Sequence, residues 1–142
     1  ERAGVPCKLS DNIARDLWTK MLMNCGGNAI SALCRTAYYR IPLNEPIREM
    51  SKRLLAEGCA VARAEGIDFN DDAIYEAFIR LTTSLGQAIS STQQDLNRGK
   101  LTEIDSLNGY LVKRGRDFGI DTPVNQSLYA LVKLLEEVVT SA

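Results

Sequence analysis

Apolar side chains recur at helical spacing along almost the whole chain, and no stretch alternates long enough to predict a strand. Ser10 or Asp11 can cap a first helix, which carries Ile13, Leu17, Met21 and Leu22 and is expected to run as far as Tyr39. Gly26–Gly27 falls inside it and is expected to kink or interrupt it, because each glycine costs about 1 kcal/mol against alanine in a helix interior. Pro42 and Pro46 punctuate the next turn. A second helix runs from Pro46 to Glu65, with Gly66 in the usual stop position. Asn70 or Asp71 caps a third, with Ile74, Phe78, Ile79 and Leu85 on its buried side. Residues 90–101 are polar and contain a loop. A fourth helix starts at Thr102 and carries Ile104, Leu107, Leu111 and Val112 to Gly119. Thr122–Pro123 supplies an N-cap and a first-turn proline for a last helix burying Leu128, Leu131, Val132, Leu135 and Val138. The pattern predicts one all-α domain of five or six helices over residues 1–142.

Composition narrows the function. The chain has 142 residues, is 45% hydrophobic and carries a net charge of −1, which suits a globular domain and argues against nucleic acid or a membrane surface as partner. No apolar run approaches the roughly 20 residues needed to span a bilayer, and no signal peptide opens the chain. Cys7, Cys25, Cys34 and Cys59 form no C-x-x-C pair, and no histidine completes a common zinc set, so no metal is expected. Cys25 and Cys34 fall in apolar pattern and are expected buried, and a reducing cytoplasm is the simplest setting. Without histidine, Ser-His and Cys-His catalysis are excluded in this chain, and acid–base work falls to Lys, Asp, Glu or Tyr.

One polar line interrupts the apolar face of the first helix. At about 100° per residue, Lys20, Asn24 and Asn28 project to the side that carries Ile13, Leu17 and Met21, whereas Arg15, Asp16 and Thr19 point elsewhere. An unpartnered buried amide costs on the order of 1–3 kcal/mol, and an ammonium more. A cleft binding a polar, anionic ligand would satisfy these groups, since a lysine and two carboxamides can hold a carboxylate, a carbonyl oxygen and a hydroxyl. A lysine that snorkels to water, with Asn28 at a helix end beside the glycines, fits the same pattern equally.

A second cluster comprises Ser90–Ser91, Asp95 and Thr102–Glu103. Glu103 is expected in the first turn of its helix, where the dipole favours a carboxylate whether or not it has a function. Asp95 and Asp105 read as capping or solvated groups. Gly109 after Asn108 marks a close helix approach or a mild defect. Arg48–Arg53 and Lys113–Asp117 read as solvated faces, and Trp18, Tyr38 and Tyr39 as packing residues.

The order of these clusters carries a resemblance. Trp18-Thr-Lys20-Met-Leu-Met-Asn24-Cys-Gly-Gly-Asn28 resembles the W-x-K-x-x-x-N-x-x-x-N helix that opens the C-terminal domain of ketopantoate reductases. Ser90-Ser91-Thr-Gln-Gln-Asp95, Thr102-Glu103-Ile-Asp-x-x-Asn108-Gly109 and Gly119-Ile120-Asp-Thr-Pro123-x-Asn125 resemble that family's later motifs, in the same order, so that the likeness runs from Gly4 to Glu136. Thr92 stands where the family's serine motif has Met, and a further substrate-binding Asn is replaced near Tyr38.

The resemblance implies an all-α fold similar to the C-terminal domain of 6-phosphogluconate dehydrogenase. It implies NADPH-dependent reduction of 2-dehydropantoate to (R)-pantoate, in pantothenate and coenzyme A biosynthesis. Lys20 would then be the general acid, Asn24, Asn28 and Ser91 would bind substrate, and Glu103 would contact cofactor or substrate and help position Lys20. A lysine in a partly closed cleft makes a better acid near neutral pH, and fixed amide donors stabilise a developing alkoxide. The chain has no G-x-G-x-x-G fingerprint, and with Glu1 in place of Met it reads as the substrate-binding half of an enzyme whose N-terminal Rossmann domain lies elsewhere. Alone it is expected to be inactive. A reductase for another 2-keto acid and a non-catalytic helical interaction module are the alternatives. An apolar face left over after packing would allow a homodimer.

Overall fold

The computed structural model describes residues 11–141 and contains six α-helices and two 3₁₀ segments, with no strand among those residues. Helix α1 spans Ile13–Cys34 and is capped by Asn12, whose Oδ1 accepts from Arg15 N at 3.0 Å. The cap therefore lies one residue beyond Asp11, and Ser10 lies outside the described residues. The helix does not reach Tyr39. It ends at Arg35, in the left-handed region at φ 47°, and a 3₁₀ segment follows at Tyr38–Leu43. The reason is tertiary: Tyr38 N and Tyr39 N donate to the carbonyls of Ala88 and Gly86, so helix-continuing bonds are replaced by contacts to the end of the third helix.

Gly26–Gly27 does not interrupt α1. A Cβ at Gly26 would stand 2.9 Å from Phe78 Cε2, and one at Gly27 would stand 2.9 Å from Tyr38 Cε1. The glycines thus admit two aromatic rings to the helix backbone, and packing offsets their propensity cost.

Helix α2 (Glu45–Ala64) is capped by Asn44 and followed by Gly66 at φ 83°; α3 (Asp71–Leu85) is capped by Asn70. The expected loop at 90–101 contains a short helix, α4 (Ser91–Asn97), capped by Ser90 and burying Thr92, Gln93 and Leu96. With one large apolar residue in seven positions, α4 has no periodic signature. The fourth predicted helix is split: Ile104–Ser106 is 3₁₀, Leu107 breaks the chain direction at φ −107°, ψ −104°, and α5 is Asn108–Phe118. Helix α6 is Pro123–Thr140. Thr122 makes no side-chain cap bond there; the carboxylate of Glu57 in α2 accepts from Val124 N at 2.9 Å and Asn125 N at 3.0 Å. A carboxylate at a helix N-terminus satisfies orphan N–H groups and meets the positive end of the dipole.

Trp18, Leu22, Cys25 and Ala29 of α1 lie at the centre of the core, with Leu54, Leu55 and Cys59 of α2, Phe78 of α3, Leu111 of α5, and Leu128 and Val132 of α6. Burial raises the pKa of the Cys25 and Cys59 thiols, the latter to about 12, which keeps them protonated and unreactive. Cys34, expected to be buried, is exposed at the end of α1; these three cysteines are free thiols. Leu85, Leu131 and Val138 were also expected inside and are exposed; Leu131, Leu134 and Val138 form an apolar stripe on the outer side of α6. Among the described residues no helix is long and apolar enough to cross a membrane.

Candidate functional site

The two faces of α1 are assigned opposite to the sequence expectation. Trp18, Leu22, Cys25 and Ala29 face the core, whereas Ile13 and Leu17 are 65% and 60% exposed. Lys20 and Asn24 share that open side, Lys20 exposed and Asn24 half-buried; the line enters the protein only at Asn28, which is 4% exposed. The burial cost inferred for three polar groups thus applies to Asn28 alone. Neither Lys20 nor Asn24 makes a side-chain hydrogen bond or ion pair among the described residues, so this domain by itself does not close a cleft over Lys20.

Asn28 is held on two sides. Its Oδ1 accepts from the Tyr38 hydroxyl at 2.8 Å, and its backbone carbonyl accepts from Ser90 Oγ at 3.1 Å. Tyr38 is therefore more than a packing residue, and burial raises its pKa. Ser90 also caps α4, and its backbone N–H donates to Ser31 Oγ at 3.2 Å. The single proton of Ser31 goes to Thr36 O at 2.8 Å, so Gln93 meets that hydroxyl through its amide nitrogen, at 2.9 Å. These bonds dock the start of α4 on α1. Ser91, the next residue after Ser90, is exposed beside Asn28's end of the line.

Glu103 does not occupy the first turn of an α-helix; it is exposed in the turn before the 3₁₀ segment, with no side-chain bond among the described residues, to Lys20 included. Its neighbours are firmly held. Thr102 N and Oγ1 donate to Glu136 Oε1 at 2.7 and 2.6 Å, and Lys133 Nζ lies 2.8 Å from Glu136 Oε2 and 3.0 Å from Asp105 Oδ2. The Tyr129 hydroxyl donates to Asp105 Oδ1 at 2.7 Å, so Asp105 is paired rather than capping. Burial pushes the Glu136 carboxyl up, but the bonds from Lys133 and Thr102 outweigh it and hold the group below the ordinary range. Gly109 permits this approach: a Cβ there would lie 2.9 Å from the Tyr129 ring. A sequence signal for Glu136 existed, since it follows Leu128 and Val132 at i+4 spacing on the face turned inward. Asp95 stays half-buried; its carbonyl, rather than its side chain, accepts from Arg98 N and Lys100 N.

Two concavities flank this surface. One of about 500 Å³ is bounded by Ile30, Cys34, Arg40, Ile41 and Ile47, at the far end of α1, and none of the candidate residues lines it. A smaller one of about 150 Å³ is formed by Leu17, Trp18, Met21 and Tyr110, on the turns that carry Lys20. Volume alone favours the first, but the second lies on the turns of α1 that carry Lys20, and chemistry is the better guide to a substrate site. Among the described residues no cluster of His, Cys, Asp and Glu could hold a metal ion.

Known proteins share this fold. The chain is 33% identical over 134 residues to the 2-dehydropantoate 2-reductase of Archaeoglobus fulgidus, covering 94% of this chain and 45% of the relative. It is likewise 33% identical to that of Vibrio cholerae, covering 93% and 44%. The crystal structure of a PanE/ApbA family ketopantoate reductase from Ralstonia eutropha JMP134 superposes with a TM-score of 0.90 at 43% identity, over 96% of this chain and 46% of that one. A D-mandelate dehydrogenase solved with NADH and anilino(oxo)acetate has the same fold, with a TM-score of 0.91 at 24% identity over 97% of this chain and 58% of that one. The chain spans less than half the length of these curated relatives. Residues 12–136 match the model described as ketopantoate reductase PanE/ApbA C terminal, and the chain belongs to that family.

Proposed function

We propose that this domain is the substrate-binding half of an NADPH-dependent reductase that converts 2-dehydropantoate to (R)-pantoate in pantothenate and coenzyme A biosynthesis. The observation that carries the reading is the line Lys20–Asn24–Asn28, a cation and two carboxamides on the one side of α1 that the core leaves open, bonded at its buried end to Ser90, the residue before Ser91. An N-terminal Rossmann domain covers that side and brings the nicotinamide, which supplies the hydride. Exposed Glu103, whose carboxylate makes no bond among the described residues, accepts a hydrogen bond from cofactor or substrate. Lys20 donates its proton to the C2 carbonyl oxygen as hydride reaches C2, leaving a 2-hydroxy acid and a neutral amine that solvent reprotonates. Asn24, Asn28 and Ser91 hold the carboxylate and hydroxyl groups and keep the carbonyl aligned.

Tyr38 favours a second reading on substrate. A half-buried phenol stands where the family's pattern has an asparagine, so another 2-keto acid with a more apolar end fits the same chemistry. A panel of 2-keto acids assayed with NADPH and NADH on the full-length enzyme separates the two. The first reading requires the highest kcat/KM for 2-dehydropantoate with NADPH, and the 142-residue chain alone to be inactive. We also assign the enzyme to the reducing cytoplasm, in line with its free thiols, and to a homodimer using the outer stripe of α6. A Staphylococcus aureus ketopantoate reductase described as dimeric aligns with a TM-score of 0.81 at 27% identity.

A further inference from the structure

Glu136 is a carboxylate 2% exposed on the inward face of α6, in line with Leu128 and Val132. Replacing a buried ion pair by apolar side chains is often neutral or stabilising, so stability alone is a weak reason for a charge in this place. What the charge does is local. Its Oε1 takes both donors of Thr102, and the Thr102 hydroxyl in turn accepts from Ile104 N at 3.2 Å. Its Oε2 faces Lys133, which bridges to Asp105, and Asp105 is held by Tyr129 as well. The side chain of Ile104 is fully buried, and Ser106 N donates to Glu103 O at 3.0 Å, closing the turn. Residues 102, 104 and 105 thus each have an anchored side chain, and the one between them, Glu103, is the one whose carboxylate makes no bond among the described residues.

We infer that Glu136, with Lys133 and Asp105, forms a positioning set that fixes the 102–105 turn and thereby aims Glu103 into the active site. The inference rests on the proposed role of Glu103. A carboxylate on an exposed turn would otherwise sample many directions, and a displacement of about 1 Å at a reacting centre can cost on the order of 100-fold in rate. Anchoring from α6 removes that freedom before substrate binds. Lys133 has its pKa raised by Glu136 and Asp105 together, and so stays charged across the physiological range.

The test uses the full-length enzyme with Glu103→Gln, Glu136→Gln, Thr102→Val and the two double variants that combine each anchor change with Glu103→Gln. Glu136→Gln and Thr102→Val are each expected to lower kcat roughly tenfold, within the cost of a small misplacement, and to shift KM in the direction that Glu103→Gln shifts it. Added to Glu103→Gln, neither should lower kcat further, because the group they aim is already gone. Multiplicative losses in the double variants, or an unchanged kcat in the anchor variants, would overturn the inference. Should Glu136→Gln fail to fold, Thr102→Val, which leaves the buried carboxylate in place, carries the same comparison. A silent Glu103→Gln removes the proposed role of Glu103 and the positioning set with it. An impaired Glu103→Gln beside silent anchor variants removes the positioning set alone.

Discussion

Asn108 and Asn125 form one pair of helical asparagines, and Asn24 and Asn28 form another, yet their surroundings are opposite. Asn108 Nδ2 donates to Cys25 O and to Asn125 Oδ1; Asn125 Nδ2 donates to Leu54 O and to Glu57 Oε2. Both residues are fully buried, and of their four side-chain polar atoms only Asn108 Oδ1 lacks a partner among the described residues. Their amides hold α1, α2, α5 and α6 together. Among the described residues Asn24 has no such bond, and Asn28 uses its two carbonyl oxygens while its side-chain nitrogen makes none. All four belong to motifs shared with the family, so motif membership does not distinguish a strut from a ligand. Unused donors on an open face do.

Variants of the two regions should therefore fail in different ways. The largest expected effect is on chemistry: Lys20→Ala in the full-length enzyme should lower kcat by about 10²–10⁴-fold, the usual span for a lost general acid. Because the Lys20 side chain makes no bond among the described residues, the thermal midpoint should not move, and an unchanged kcat would break the assignment.

Asn125→Ala tests the other region. It takes one hydrogen bond each from Asn108 Nδ2, Leu54 O and Glu57 Oε2 and should cost about 2–4 kcal/mol of stability in a urea titration. The kcat of the molecules that remain folded should be kept. If kcat fell with stability intact, the contrast between strut and ligand would be wrong.

Tyr38→Phe, a subtler change, removes the proton donated to Asn28 Oδ1, worth about 1 kcal/mol. With Asn28 binding substrate, KM should rise about fivefold at nearly constant kcat. A pure stability loss would move Asn28 into the structural group.

The smallest effect is on pH dependence. Glu136 is held low because its hydrogen bonds outweigh its burial, and Asp105 is held low first by Tyr129 and then by Lys133. Depressed folded-state pKa values mean that these carboxylates stabilise the fold above their unfolded values, roughly pH 4. That contribution is lost as pH falls through the lower folded values. Thermal midpoints measured from pH 6 downward should therefore drop less steeply for Glu136→Gln than for the wild type.

Most helices were legible because long apolar periodicity and caps such as Asn70 and Gly66 are local signals. Helix α4 was not, since its seven residues are positioned by Ser90, Gln93 and Ser31 contacts between segments 59 to 62 residues apart. The end of α1 was misjudged because the carbonyls that take Tyr38 N and Tyr39 N belong to residues 86–88. The candidate site was legible as a set of residues, but its setting was not. Periodicity grouped Lys20, Asn24 and Asn28 with Ile13 and Leu17 correctly, then assigned that group to the core.

The sequence by itself determined that this is an all-α domain, which polar residues share one side of α1, and which motif order it carries. Each follows from chemistry within a few turns of one chain segment. Only the tertiary structure decided which side of α1 faces inward, because Leu22 with Cys25 and Ile13 with Leu17 are both apolar enough to be buried. Packing against α2, α3, α5 and α6 chose the former. It also decided that a glutamate on the inward face of α6 should reach 34 residues back to hold Thr102, a pairing that no local pattern encodes.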